Sequence, residues 1–313
     1  MGVNPVALPA AVVLSVLHGI IPPIHREHSL LSIIFGLLSA LSWGAGDFTG
    51  GLASRRVGAI RAVFYASVIG LMVAIGAAIV SRESVPAIKA WGFAFGAGLF
   101  GCLGLIFLYA AMERGAMSIA APVSALLAAA LPVFVGIATE GLPDFLTVLG
   151  FGFALLAVWL ISNGGGGADD LLSHLADLRL PLLAGLGFGG YFVLMHEATS
   201  GGATFWPMVS SRTASVLMLL VYMLVTKTSF RIEDRSALPV IGLNGVLDLS
   251  GNGFFILAAQ AGRLDVASVL SSLYPGSTVV LASVFLRERL TRNQWIGILS
   301  ALTAIALMSK TSL

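Results

Sequence analysis

The chain is short of charge. Asp, Glu, Lys and Arg make up 10% of its 313 residues, against 58% hydrophobic residues. A soluble domain carries roughly 25% charged residues, so this chain cannot cover a water-facing surface. Cysteine is almost absent: Cys102 stands alone inside an apolar run, which excludes a disulfide framework and cysteine-based metal sites. His18, His25, His28, His174 and His196 form no His-Glu-x-x-His pair, and there is neither a P-loop nor a Gly-x-Ser-x-Gly turn. No catalytic residues, metal or cofactor are therefore expected, and ATP hydrolysis by this chain is not. A formal charge of +2 is too small to point to nucleic acid.

What the chain has is long apolar runs. Ten of them lie near 30–51, 61–80, 90–111, 117–139, 144–162, 179–198, 205–226, 237–259, 264–286 and 292–309. A helix crossing a bilayer needs roughly 20 apolar residues, and these runs are uniformly apolar. A transmembrane barrel would show segments of roughly 10 residues with alternating polarity. The expected fold class is an all-α membrane protein with ten transmembrane helices. Short connections such as Glu113-Arg114-Gly115 and Ala261-Gly262-Arg263 make consecutive helices antiparallel neighbours. Residues 1–29 are set apart as an extension: Pro9 and Pro22-Pro23 interrupt its apolar stretch, which either forms an eleventh short helix or lies outside the fold.

The longest polar connection, 163–178, opens with Gly164 to Gly167 and divides the chain almost in half. It separates a first unit, 30–162, from a second, 179–309. The units resemble each other. Residues 110–127 read AAMERGAMSIAAPVSALL and residues 257–274 read LAAQAGRLDVASVLSSLY, so that Gly115, Ala120 and Ser124 pair with Gly262, Ala267 and Ser271. Each stretch is followed by an acidic residue, Glu140 or Glu288, and a glycine in the last helix, Gly150 or Gly297. Arg61 and Arg212 match roughly, early in the second helix of each unit. Five helices per unit place the repeats in opposite orientations, a recurring plan of secondary transporters whose site lies near the midplane.

Ser271-Ser272-Leu273-Tyr274-Pro275, Leu286-Arg287-Glu288-Arg289-Leu290-Thr291 and Gln294-Trp295-Ile296-Gly297 resemble the EamA repeat of the drug/metabolite transporter superfamily. So does Ser42-Trp43-Gly44-Ala45-Gly46-Asp47-Phe48 in the first helix. The resemblance spans 30–309 and implies a ten-helix carrier, often an exporter of amino acids or other metabolites, working by alternating access. The first unit departs from the family pattern after Glu140, reading Gly141-Leu142-Pro143-Asp144 where a basic Arg-Leu-Thr segment is common. The expected partners are a small-molecule substrate and the lipid bilayer, the expected place a bacterial cytoplasmic membrane, and the expected state compatible with a monomer. The competing classes are an intramembrane lipid-modifying enzyme and a membrane scaffold or regulatory subunit.

Ionisable side chains deep in a membrane are costly and functional by default. Asp248 lies mid-run, with Asn244 and Asn252 at i−4 and i+4, so the three share one helix face. That stripe should face a cavity or form an interhelical hydrogen-bond network. Arg212 either binds a substrate carboxylate, pairs with Asp248, or reaches the nearer interface. An unpaired Asp248 would exchange protons and couple transport; a nearby arginine would hold it ionised as a structural or substrate-orienting group. Asp47 either lines the cavity or pairs with Arg55 or Arg56, and Trp43 precedes it by one turn as a substrate platform or interfacial anchor. Ser271 and Tyr274 flank Pro275, which frees a backbone carbonyl and suits a kinked helix at the cavity. The pairs Gly92 with Gly96 and Gly185 with Gly189 read as close-packing sites.

Orientation follows from the basic residues. Loops after odd-numbered helices carry Arg55, Arg56, Arg61, Arg114, Arg179, Lys227, Arg231, Arg235, Arg287, Arg289 and Arg292; the other side carries Arg26, Arg82, Lys89, Arg263 and Lys310. The richer side is cytoplasmic by the positive-inside rule, which places the carboxy terminus outside. A carboxy-terminal reporter should be active only outside the cytoplasm; activity confined to the cytoplasm overturns the assignment.

Overall fold

The computed structural model describes residues 24–113, 117–162, 178–287 and 289–310. Residues 1–23 of the expected extension, nearly all of the connection at 163–178, and Glu288 lie outside the described residues. Helices cover each of the ten predicted runs. The first unit contributes α1 (Ile24–Val57), α2 (Ala59–Val80), α3 (Ile88–Glu113), α4 (Met117–Glu140) and α5 (Phe145–Ser162). The second contributes α6 (Arg179–Thr199), α7 (Phe205–Val225), α8 (Leu238–Ala261), α9 (Leu264–Ser271), α10 (Tyr274–Phe285) and α11 (Arg292–Lys310). Residues 24–29 continue α1. There is no strand among the described residues.

Eight stretches are long and apolar enough to cross a membrane: Leu30–Val57, Ala59–Val80, Ile88–Leu108, Val123–Glu140, Phe145–Ser162, Phe205–Val225, Arg235–Ala261 and Leu264–Phe285. Of the ten predicted crossings, α6 and α11 fall outside that set. Four glycines and Arg179, His196 and Glu197 interrupt α6, while α11 opens on Arg292-Asn293-Gln294.

The helix ends are set by identifiable polar groups. Asp144 caps α5, accepting from the Leu146 and Thr147 amides at 2.8 and 3.2 Å. This gives the departing Gly-Leu-Pro-Asp loop a local purpose, and Gly141 turns the chain there at φ 82°. In the second unit Thr291 and Gln294 do the equivalent work as a reciprocal capping box. The predicted ninth run breaks in two, because Pro275 in the first turn of α10 has no N–H to give the Ser271 carbonyl. Glu83 acts at longer range. Its carboxylate receives the amides of Thr204, Phe205 and Trp206 at 2.6, 2.9 and 2.8 Å, satisfying orphan donors at the positive end of α7.

The packing follows a twofold exchange between the units. α1 packs along α8 as α6 packs along α3; α2 meets α8 as α7 meets α3; α1 meets α9 and α10 as α6 meets α4. α2 with α7, and α5 with α11, are the pairs that exchange with themselves. The loops obey the same rule. The loop after α2 sends Glu83 to α7, and the loop after α7 docks on α2 through Arg61 to the Arg231 carbonyl at 3.0 Å and Tyr65 to the Phe230 carbonyl at 2.6 Å. Arg61 and Arg212, similar in sequence position, thus do different work.

Many of the fully buried positions are alanines. Ala53, Ala62, Ala74, Ala94, Ala97, Ala157, Ala184 and Ala214 are fully buried, while Val80, Phe134, Leu224 and Val284 are exposed. Small residues let backbones approach where lipid supplies no hydrophobic drive between helices. As expected, Gly185 and Gly189 meet Leu127 and Leu131 of α4, where added Cβ atoms would lie 2.6 and 2.8 Å from theirs. Gly92 and Gly96 are a correction. A Cβ on Gly92 meets nothing and one on Gly96 meets only the tip of Leu194, because the close-packed face of α3 is carried instead by Gly98 and Gly104.

Gly98 sets the closest approach, its missing Cβ falling 2.1 Å from the Ser211 carbonyl oxygen of α7. Gly98→Ala should therefore destabilise the protein by about 1–3 kcal/mol through overpacking. Gly76→Ala, in open space, should leave stability unchanged or raise it by up to about 1 kcal/mol. Thermal unfolding of the detergent-purified variants separates the two; equal midpoints would refute the close contact.

Candidate functional site

The close approach of α1 to α8 and α10 builds the site. Gly44 admits the Tyr274 carbonyl and Ser277 of α10, Gly46 faces the Asp248 backbone, and Gly50 accommodates Asn244. Across the same seam Ser39 Oγ donates to the Gly251 carbonyl at 2.9 Å, and Thr278 Oγ1 donates to the Gly44 carbonyl at 3.1 Å. Gly251 leaves the room that the Trp43 indole fills. These residues carry α1's Trp43 and Asp47 into the middle of the helix assembly.

The polar stripe of α8 is turned into the protein. Asn244 and Asn252 are buried at 8% and 7% exposure. Asn252 Oδ1 accepts the Tyr191 hydroxyl of α6 at 2.5 Å, and Asn252 Nδ2 donates to the Asp248 carbonyl at 2.9 Å. Arg212 of α7 forms an ion pair with Asp248. Asn252 and Asp248 are thus each held by a neighbouring helix, since a polar group left bare away from water costs several kcal/mol. Of the three roles expected for Arg212, the structure has the pairing with Asp248.

Asp47 is different. It pairs with neither Arg55 nor Arg56: Arg56 is engaged by Ser236 at 3.3 Å, and Asp47 makes no hydrogen bond or ion pair among the described residues. Asp248, of like sign, is close enough to act on it, and the Tyr274 phenol lies within the field of its carboxylate. Asp47 is also exposed. Its neighbours Gly44, Gly46 and Gly50 on α1 pack against α10 and α8, and Asp47 keeps accessible surface beside that seam.

Aromatic rings stand on one side of it. Trp43 stacks on Phe192 at 5.6 Å and Phe255 at 6.1 Å between ring centroids, and meets Tyr274 edge-on at 6.4 Å. Phe192 and Phe255 are buried, whereas Trp43 and Tyr274 keep partial exposure. Trp43 is thus packed inside the protein, not placed as an interfacial anchor. Ser271 is fully buried at the end of α9, and its hydroxyl has no hydrogen-bond partner among the described residues. Tyr191, Phe192 and Phe255 were not foreseen from the sequence. The signal for Tyr191 was a hydroxyl-bearing ring inside an apolar run; a buried phenylalanine gives none.

Two hollows in the structure hold none of these residues. One, of about 380 Å³, lies between the loop after α2 and the end of α6 and includes Glu83, Lys89 and Glu197. The other is an apolar groove of about 580 Å³ beside Leu126, Leu155 and Trp159.

The profile of the EamA-like transporter family matches residues 30–163 and 178–310. An uncharacterised protein of Methanocaldococcus jannaschii is 31% identical over 93 residues, 30% of this chain and 68% of that protein. A crystal structure of a further protein superposes with a TM-score of 0.73 at 17% identity, covering 90% of this chain and 97% of the other. That similarity concerns the fold alone.

The ion pair can be measured directly. A fully buried pair typically costs about 3–5 kcal/mol to break from one side, but Asp248 keeps 40% of its side-chain surface, so water offsets part of the loss. A double-mutant cycle with Arg212→Gln and Asp248→Asn should give a coupling of about 1–3 kcal/mol, the double variant being more stable than the sum of the singles implies. Additive losses would contradict the pairing.

Proposed function

The chain belongs to the EamA-like transporter family, a multi-pass membrane family, and from that membership and the setting of Asp47 we propose that it is a secondary transporter. It exports a small metabolite, an amino acid or related compound, across a cytoplasmic membrane by alternating access, with α6 and α11 completing ten crossings and the two units inverted. The twofold exchange of helix contacts supports that plan, since two related halves that rock against each other expose a shared site to either side in turn. No catalytic step is needed.

The observation that carries this reading is Asp47, an exposed carboxylate without an ion partner among the described residues, where three helices meet. The expectation that Asp248 carries the coupling proton passes to Asp47, because Arg212 already neutralises Asp248. A lone carboxylate inside a membrane is stable when protonated or when it faces a cation, and alternation between the two states couples one flux to another. The groups near it are Asp248 on α8 and Tyr274 on α10. The break between α9 and α10 supplies a place where helix segments change their mutual angle, with Pro275 removing the bond that would stiffen it.

Cells making the wild-type protein should release at least one small metabolite faster than cells without it. A protonophore, or Asp47→Asn in a variant that reaches the membrane in normal amount, should remove that increment. Identical media from the two strains would sink the carrier reading. An undiminished increment in Asp47→Asn would sink coupling at this residue.

A further inference from the structure

The hollow between the loop after α2 and the end of α6 lies where three membrane-crossing stretches end or begin, Ala59–Val80, Ile88–Leu108 and Phe205–Val225. Helix ends of this kind lie at the depth of lipid headgroups. Trp91 and Trp206, with ring centroids 5.9 Å apart, stand beside it as aromatic side chains do at a membrane interface. Trp206 Nε1 donates to the Glu83 carbonyl at 3.0 Å, which ties that ring to the wall of the hollow. Around the same loop Val80, Val85 and Ile88 are exposed at 84%, 68% and 86%. Large apolar side chains so bare suit lipid, not water.

Two of the three charges in the hollow are uncommitted. Glu83 already holds the amides of Thr204, Phe205 and Trp206. Lys89 and Glu197 are exposed, have no ion-pair partner among the described residues, and do not pair with each other. Helix stability does not explain their placement. Lys89 stands in the first turn of α3 and Glu197 in the last turn of α6, each at the helix end where the macrodipole disfavours its charge. Exchanging the two would favour both helices. A cation–π contact, 5.4 Å from the ammonium to the Phe93 ring centre, holds Lys89 Nζ at the wall. One hollow thus offers an anion site on the first unit and a cation site on the second.

An ion of either sign would satisfy one of these walls and oppose the other; a zwitterion satisfies both. We infer that the hollow binds the headgroup of an aminophospholipid, its phosphodiester at Lys89, its primary ammonium at Glu197, and its chains passing over Val85 and Ile88. The volume of about 380 Å³ equals that of roughly a dozen water molecules, enough for a phosphoethanolamine group. A primary ammonium donates hydrogen bonds to a carboxylate, which the quaternary nitrogen of a choline headgroup cannot do. An anionic glycerol headgroup brings no cation to Glu197 at all. Because Lys89 and Glu197 belong to different units, the bound headgroup ties one unit to the other at this end. The site shares no residue with the surroundings of Asp47 and does not depend on what the chain carries.

The test uses detergent-purified full-length protein and three short-chain lipids with identical dihexanoyl chains: phosphatidylethanolamine, phosphatidylcholine and phosphatidylglycerol. Binding is read from the rise in the thermal unfolding midpoint as each lipid is titrated. Phosphatidylethanolamine should bind about tenfold more tightly than either of the others, or better. Glu197→Gln and Lys89→Gln should each remove that preference, while Glu197→Asp and Lys89→Arg keep most of it. Equal binding of the three lipids to the wild type, or an undiminished preference in Glu197→Gln, overturns the assignment; the wild-type comparison decides even if a variant fails to fold. Free L-alanine, a soluble zwitterion, separates the two sources of this chemistry. It should leave lipid binding unchanged at concentrations that match the lipid's own. Displacement of the lipid at those concentrations would give the hollow to a soluble zwitterion and overturn the lipid assignment.

Discussion

A charge inside a bilayer must find a partner or water. That constraint organises the centre of this protein. Arg212 and Asp248 meet it by pairing across α7 and α8. Asn252 meets it through Tyr191 and the Asp248 carbonyl. Asp47 has no hydrogen bond or ion pair among the described residues and keeps accessible surface. The same rule gives the outer surface its character, where large apolar side chains such as Phe134 and Val284 need no partner at all.

The centre depends in turn on how near the backbones come. Gly44, Gly46 and Gly50 draw α1 against α10 and α8, and the hydroxyls of Ser39 and Thr278 tie carbonyls across the seam. Larger residues at these positions would push Trp43 out of the space above Gly251 and separate Asp47 from the aromatic wall. Away from the centre, Glu83 at the start of α7 and the loop after α7 on α2 tie each unit to the other at its loops. Cohesion at those loops and accessibility at the centre are compatible with two halves that move as bodies.

Much of this architecture was legible in the sequence, for physical reasons. Uniform apolar runs admit only helices in lipid, and the helical period put Asn244, Asp248 and Asn252 on one face before any packing was known. The proline at 275 announced a break, though not that Ser272 and Leu273 would form it. What could not be read was which partner each group would take. Arg212 had three candidate roles, and only the crossing of α7 with α8 assigns it to Asp248. Asp47 had two nearby arginines in the sequence, yet Arg56 is turned to Ser236. Gly92 and Gly96 matched the small-residue spacing as well as Gly185 and Gly189 did, but a spacing does not say which face of a helix meets a neighbour. Ser271 aligned with Ser124 in the repeat and was expected at the cavity; its side chain is closed off between α9 and its neighbours.

The account turns on Asp47 being reached by water from each side of the membrane in turn. Cys102 is the chain's one cysteine and is buried, so a Cys102→Ala background leaves a new thiol as the only target. Asp47→Cys in that background, reconstituted in vesicles of known sidedness, can be challenged with a membrane-impermeant thiosulfonate from one face and then the other. Modification from both faces is the result the account predicts. Modification from neither face, or from one face only under every condition, would contradict it.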